Sequence, residues 1–376
     1  MKNYDFDFVF AYQESINSKL ITSKHRMAEF LSKKGFQILY IEVPIFITNW
    51  IFIRLKNKFT KNPYDKKNEK YKNLRIIKPF TLIPTKFLFD NIIFANFETF
   101  IICLYLKLIL KKKNIKARNF QIYIPKSINL ILNNFIHTDQ ILYHLVDDFR
   151  YLLSAPKVLS IFHELSLSKA TKIFTPSNSI AENISNKNIY ILPHGFERYD
   201  FKALEQKTFL RPKNNILYYG QLNKLNFNLV NQVIDSLNDY NFIFIGNLSE
   251  SYIVRKSNVN LINFMSHRDL MHILCNAQLL WCPFKINKLT TSMAPIKFIE
   301  GLSYGIPILS TSINFKDFLI QDFIEFKDTI PEHISFIRSL QNYENYQKRI
   351  DRINSVKERS WDVIMKKYFD LINFGN

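Results

Sequence analysis

The chain has 376 residues, is 47% hydrophobic, and carries 51 Lys and Arg against 32 Asp and Glu. That length exceeds one ordinary core and predicts two domains, while the net charge of +19 points to an anionic partner surface, either membrane or nucleic acid. Cys103, Cys275 and Cys282 sit singly in apolar surroundings, without metal-ligand spacing and in odd number, which argues against a disulfide framework and suits a reducing cytoplasm.

The first half holds most of the charge. Residues 1–200 contain 30 basic and 16 acidic side chains, and residues 51–118 contain 17 and 4. The opening MKNYDFDFVF places acids where a signal peptide needs an apolar core, so none is expected. DFDFVFAY (5–12) reads as the first strand. A helix follows over 22–35, capped by Thr22 or Ser23, with Met27, Phe30 and Leu31 on its apolar face and Gly35 at its end. FQILYIEVP (36–44) is the next strand, which completes a βαβ unit. His25 begins that helix near the C-terminal edge of the strands, where α/β sites lie; the alternative is an exposed helix residue.

Residues 45–59 mix Phe, Trp and Ile with Arg54, Lys56 and Lys58, and 62–72 are a polar excursion. NLRIIKP (73–79) predicts a strand, and 87–113 a long apolar helix ending in Lys111, Lys112 and Lys113. Asp90, Glu98 and Lys107 interrupt it, and no 18-residue uncharged apolar run exists, so no spanning helix is expected. Two readings remain for 45–118: contact with an anionic membrane interface, or a buried domain helix with a solvated basic end. Strands at 120–125 and 140–148 flank a helix at 128–135. The second strand ends on Asp147 and Asp148, which point in roughly opposite directions if extended, so at most one faces the crevice, as the candidate general base. Otherwise they are cap or turn acids. The helix at 158–170 holds His163 and Glu164 but lacks the second His of a zinc helix, so no metal is assigned. Strand, turn and helix over 171–184 precede a strand running into Pro193-His194-Gly195, and the domain boundary is placed at about 200.

The second half alternates strands and helices as another open α/β unit. Strands at 214–220 and 240–247 end near Gly220 and Gly246, and Ser266 caps a helix that runs to about 277. QLLWCPF (278–284) is a strand, followed by a polar loop, a helix opening at Pro295 and closing at Gly305, and a strand from Pro307. A helix that opens beyond a strand's C-terminal end offers free N–H groups to an anion. Lys297 and Glu300, three residues apart, share a face. A cation beside an anion-binding helix start, with a carboxylate for hydroxyls, describes a nucleotide-sugar pocket; the alternative is an ordinary βαβ unit with a surface ion pair. No G-x-G-x-x-G, Walker sequence or recognised nucleic-acid motif occurs, so no dinucleotide or nucleic-acid partner is expected.

Ser292 to Gly305, with Pro295-x-Lys297-x-x-Glu300 and then Gly305-x-Pro307, resembles the donor-binding motif of GT-B glycosyltransferases, especially the bacterial group that includes glycosyltransferase family 4. Tyr143 to Phe149, Pro193-His194-Gly195 and Glu358-x-Ser360-Trp361 resemble further stretches of that group. The resemblance implies an α/β fold of two Rossmann-like domains facing across a cleft. Residues 1–199 would bind the acceptor, 200–355 the nucleotide-sugar donor, and 356–376 would form a helix crossing back to the first domain. It implies that Glu300 binds ribose, that Thr291, Ser292 and Met293 line the phosphate and sugar site, and that Lys297 and Lys224 stabilise the leaving diphosphate. Gly220 and Gln221 belong to the same site, although relatives commonly carry Arg where Gln221 stands, and Asn263 or Phe264 replaces a usual Gly. His25 and His194 fall on the acceptor side. Asp148 or Asp147 is the base if the reaction inverts the anomeric centre; if it retains, neither need be. The implied protein is a hexosyltransferase of bacterial surface-polysaccharide synthesis. It would lie peripherally on the inner face of the cytoplasmic membrane, act on a lipid-linked or membrane-proximal saccharide, and use no cofactor or essential metal. The alternatives are a catalytically silent binding or scaffold protein of the same fold, or a basic nucleic-acid-binding protein.

Overall fold

The computed structural model describes residues 3–372 except 17, 19–21, 57–64, 68–72, 85–86, 89–90, 127–134, 147–156, 183, 186–187, 198–213, 251, 292 and 318. Asp147, Asp148 and Ser292 lie outside the described residues, as does nearly all of the helix expected at 128–135. The chain divides into two compact units: Met1–Thr175 with Ser185–Tyr190, and Pro176–Ile184 with Ile191–Asn376.

The first unit opens with β1 (Phe6–Gln13), α1 (Ser23–Lys33) and β2 (Ile38–Glu42). Next come β3 (Ile45–Phe46), α2 (Ile47–Lys56), β4 (Asp65–Lys67), β5 (Leu74–Ile77) and β6 (Phe80–Thr81). The remainder is α3 (Ile92–Leu110), β7 (Ile115–Ile122), β8 (Ile136–His144), α4 (Lys157–Lys169), β9 (Lys172–Thr175) and, after α5 (Asn178–Ala181), which belongs to the second unit, β10 (Ile189–Ile191). Eight strands form one sheet in the order β10-β9-β8-β7-β1-β2-β5-β4. β9, β8, β7, β1, β2 and β5 run parallel, and β4 joins antiparallel at the edge. The central strands are buried on both faces, which is why they read as near-continuous apolar runs.

Two local features differ from the sequence reading. The expected helix at 87–113 is continuous only over Ile92–Leu110, because Asn91 caps it by accepting from the Ile93 N–H at 2.8 Å and Lys111 ends it in the left-handed region. By length and apolar composition this helix suffices to cross a bilayer, which the sequence reading did not anticipate. In β1, Tyr12 adopts φ 58° where the register to β2 shifts, and its hydroxyl lies 2.9 Å from Thr99 of α3.

The second unit carries β11 (Asn215–Gly220), α6 (Phe227–Ser236), β12 (Asn241–Gly246), β13 (Val259–Ile262), α7 (His267–Cys275) and β14 (Leu279–Cys282). α8 (Lys288–Thr291), α9 (Ile296–Ser303), β15 (Ile308–Ser310), β16 (Ile324–Phe326), α10 (Ile330–Tyr343), α11 (Tyr346–Ser355) and α12 (Trp361–Leu371) follow. Its sheet is fully parallel, in the order β13-β12-β11-β14-β15-β16. The strand order reverses between β11 and β14, and ligands of open α/β sheets bind outside the strand ends at such a switch point. Trp281 anchors the core below it, fully buried, donating its indole N–H to His333 Nδ1 at 2.9 Å. His333 therefore carries its proton on Nε2, which donates to the Lys327 carbonyl at 3.0 Å.

Gly220 and Gly246 are direct partners at the ends of β11 and β12. A Cβ on Gly246 would lie 2.2 Å from the Gly220 carbonyl oxygen and 2.9 Å from Leu222 Cγ. Gly246→Ala is therefore expected to cost about 1–3 kcal/mol through backbone displacement. A denaturation midpoint equal to that of the parent chain would contradict this account of the strand ends.

Candidate functional site

The loops beyond β11 and β14 are stitched together over the switch point. Leu225 and Phe284 form a β-bridge, the Asn226 N–H donates to the Pro283 carbonyl, and the Lys285 N–H donates to the Lys224 carbonyl, both at 2.9 Å. The loop leading to α9 is held by Asn287, whose side-chain oxygen accepts from the backbone N–H groups of Leu289 and Thr290 at 3.0 Å each. α9 begins immediately after Pro295, and its inner side chains Phe298 and Leu302 are fully buried. Gly301 lets it approach the sheet, since a Cβ there would meet Leu280 at 2.8 Å. Gly305 ends it at φ 66°, and Arg352 of α11 donates to the Gly305 carbonyl at 2.9 Å while pairing with Glu344. Both ends of α9 are thus fixed.

Lys297 points back over the end of β11. Its ammonium donates to the Tyr219 carbonyl at 2.6 Å and lies 4.1 Å from the Tyr218 ring centroid. It passes Gly220, where φ is 122° and a Cβ would stand 2.9 Å from Nζ. Desolvation lowers the Lys297 pKa to about 8; Lys224 adds to this, while Cys282 and Glu300 oppose it. Glu300 is only 6% exposed, so a solvated surface pair is excluded. Its Oε2 accepts from the Tyr219 hydroxyl at 2.6 Å, and its Oε1 lies 2.9 Å from His267 Nε2. The carboxylate is therefore held by two side chains from other elements.

Of the residues singled out from sequence, Gly220, Lys224, Met293, Lys297 and Glu300 converge here. Lys224 Nζ lies 3.5 Å from the sulfur of buried Met293. Thr291 spends its hydroxyl on the Asn287 carbonyl at 2.8 Å, so only its lone pairs remain for a ligand. Gln221 exposes its side chain, and its carbonyl accepts from the Tyr218 hydroxyl at 2.9 Å. His194 was expected on the acceptor side but belongs to the second unit, because the chain leaves the first unit before Ile191. Desolvation lowers its pKa to about 4, with Glu300 opposing, Arg359 adding to the shift, and a hydrogen bond to the Ala294 backbone opposing it.

His25 remains in the first unit but is buried, contrary to an exposed helix position. Its Nδ1 accepts from the Thr22 N–H at 3.0 Å, so the proton sits on Nε2, which donates to the Ser15 carbonyl at 3.1 Å. Both nitrogens brace the loop after β1, which leaves this histidine no free atom for an acceptor. Tyr219 and His267 were missed in the sequence. His267 directly follows the capping Ser266, but nothing local marks either as a partner of Glu300. Among the described residues, no three His, Cys, Asp or Glu side chains gather as metal ligands.

The arrangement offers a helix start and two lysines to an anion, and beside them a carboxylate able to exchange a protein donor for a ligand hydroxyl. No protein-family model matches the chain, and no curated protein matches its sequence. Its structure is similar to a sucrose-phosphate synthase from Thermosynechococcus elongatus, with TM-score 0.70, 11% identity and 98% of each chain covered. It is also similar to WaaG, a glycosyltransferase involved in lipopolysaccharide biosynthesis, with TM-score 0.60, 14% identity, and 97% of this chain and 99% of that one covered. A Listeria monocytogenes protein assigned as a UDP-N-acetylglucosamine 2-epimerase aligns with TM-score 0.53 and 8% identity, over 98% of this chain and 96% of that one. The fold is the two-domain, Rossmann-like GT-B architecture.

Glu300→Ala leaves the Tyr219 hydroxyl and the His267 imidazole facing an empty buried space, at a cost of about 1–3 kcal/mol. Glu300→Gln keeps an acceptor oxygen and is expected to unfold at higher denaturant than Glu300→Ala. Identical midpoints for both variants and the parent chain would remove Glu300 from this hub.

Proposed function

We propose that the protein is a glycosyltransferase that binds a nucleoside-diphosphate sugar in its second unit and passes the sugar to a saccharide acceptor. The observation that supports this best is the half-buried Lys297 and the buried Glu300 on one short helix, aimed at the C-terminal ends of strands at a switch point. In this reading the diphosphate lies against the start of α9 with Lys297 and Lys224. Glu300 accepts from the ribose hydroxyls, and Thr291, Ser292 and Met293 line the sugar and phosphate site. Gly220 and Gln221 form its strand-end wall.

The reaction forms a bond from an acceptor oxygen to the anomeric carbon and breaks the bond from that carbon to the diphosphate. The electron pair leaves with the nucleoside diphosphate, whose growing charge Lys297, Lys224 and the helix dipole stabilise. The acceptor proton passes to Asp148 or Asp147 in an inverting reaction. Neither residue is required as a base in a retaining one. This reading uses no resident metal or cofactor. We take the transferred group as a hexose, the chain as a relative of glycosyltransferase family 4, and the acceptor as a lipid-linked or membrane-proximal saccharide. The setting would be capsule, exopolysaccharide or lipopolysaccharide assembly at the inner face of the cytoplasmic membrane.

The likeness to an epimerase supplies a second reading of the same pocket, in which a nucleotide sugar is isomerised without an acceptor. Nuclear magnetic resonance of a nucleotide-sugar panel incubated with the protein separates the two. A transferase releases nucleoside diphosphate and yields no isomer, even with water as a slow acceptor. Accumulation of an isomerised nucleotide sugar would overturn the transferase reading.

The Lys297 pKa of about 8 sets a pH signature. The ammonium that attracts the diphosphate is present below that value and lost above it. Nucleoside-diphosphate affinity is therefore expected to be steady near pH 7 and to fall by up to roughly tenfold towards pH 9, one proton being linked to binding. Lys297→Arg should flatten that profile. A parent profile flat to pH 9 would show that Lys297 does not contact the diphosphate.

A further inference from the structure

α3 is apolar on its outer face as well as its inner one. Its polar residues Glu98 and Thr99 face inward and are buried, Thr99 against Tyr12 and Glu98 3.8 Å from Lys126. Its exposed residues are Ile93, Phe94, Phe97, Phe100, Leu104 and Leu108, all large and apolar, with Ile93 at 71% and Leu108 at 76% exposure. Positions 93, 97, 100, 104 and 108 recur at helical spacing and draw one stripe along the helix. The helix rises about 28 Å at 1.5 Å per residue, so the stripe is long and continuous. Isolated exposed apolar residues need no explanation, but a contiguous stripe of this kind marks an interaction surface.

Two further features adjoin it. Trp50 of α2 packs edge-on against Tyr105 of α3 with ring centroids 6.2 Å apart, and the next residues of α2, Ile51 and Phe52, are exposed. At the C-terminal end of α3 stand Lys111, Lys112, Lys113 and Lys116, all exposed, of which Lys112 pairs with Asp5.

We propose that the outer face of α3 docks in the interface of an anionic lipid bilayer, with the helix lying along the membrane and the 111–116 lysines on the headgroups. The polarity of α3 selects this occupant. The inner face is already committed to the first unit through Thr99 and Glu98, which opposes spanning. A second copy is opposed by charge: every exposed residue within α3 is apolar, so the face brings no acid to the partner's lysines, and each chain carries +19. An anionic bilayer supplies both missing partners, hydrocarbon for the stripe and negative charge for the lysines. The inference does not depend on the donor pocket, which lies wholly in the other unit.

Flotation of the full chain with phosphatidylcholine vesicles containing phosphatidylglycerol tests it. The parent chain is expected to float, and Phe97→Ser with Leu104→Ser to lower the partition coefficient at least about tenfold. Lys111→Gln with Lys113→Gln should weaken binding several-fold at low salt and less at high salt. Unchanged melting temperatures show that these exposed substitutions leave the fold intact, and unchanged nucleotide binding separates this surface from the donor reading. Equal flotation of the parent and the Phe97/Leu104 variant would overturn the proposal. So would a vesicle-free dimer abolished by the same variant, or retention in vesicles after alkaline carbonate extraction, which marks a spanning helix.

Discussion

A lysine with a desolvated ammonium governs the second unit. Lys297 must reach back from α9 to the Tyr219 carbonyl, and the chain makes room for it at Gly220, where any side chain would strike the ammonium. Desolvating an ammonium is costly unless dipoles and opposite charge surround it. The Tyr219 carbonyl, the Tyr218 face and the Glu300 carboxylate supply that surrounding. Desolvation still lowers the pKa of the ammonium to about 8, with Glu300 opposing the shift. Glu300 is then secured by Tyr219 and His267, so three elements meet at one helix turn.

The rest of the unit keeps that turn in place. Arg352, itself buried, ties the end of α9 to α11, and Gly305 admits the close approach because a Cβ would stand 2.5 Å from Arg349 Cγ. Below the site, the Trp281–His333–Lys327 chain of hydrogen bonds fixes β14 against α10. Further along, Arg359 grips Asp317 with both carboxylate oxygens within 2.8 Å, and Gly195 lies against the Trp361 indole. A site framed in this way has little to rearrange on binding, and ligand hydroxyls need only displace the Tyr219 or His267 donor from Glu300.

The elements were legible where a local rule decides them. Pro295, Gly305 and Pro307 marked the bounds of α9, Ser266 marked the start of α7, and the glycines at 220 and 246 marked strand ends. The spacing of Lys297 and Glu300 placed them on one face, but did not show the burial of Glu300, which depends on β11 and α7. The pair Tyr219–Glu300 spans 81 residues and follows no periodicity. His25 misled for the same reason: its helix position was right, but its partners, Thr22 and Ser15, turn it inward. His194 sits three residues past the point where the chain enters the second unit, a boundary set by packing and not by composition. The exposed apolar stripe of α3 was hidden too, since a helix apolar all round shows no preferred face in sequence.

The central claim is that the turn around Lys297 and Glu300 receives a nucleoside diphosphate bearing a sugar. The most direct measurement is the melting temperature of the purified chain against a panel of nucleoside diphosphates and their sugar conjugates. A ligand that binds only the folded state raises it by mass action. The account predicts a rise with one nucleoside diphosphate and a larger rise with one of its sugar conjugates, both lost in Lys297→Met. A folded sample that shifts with no member of the panel would contradict it.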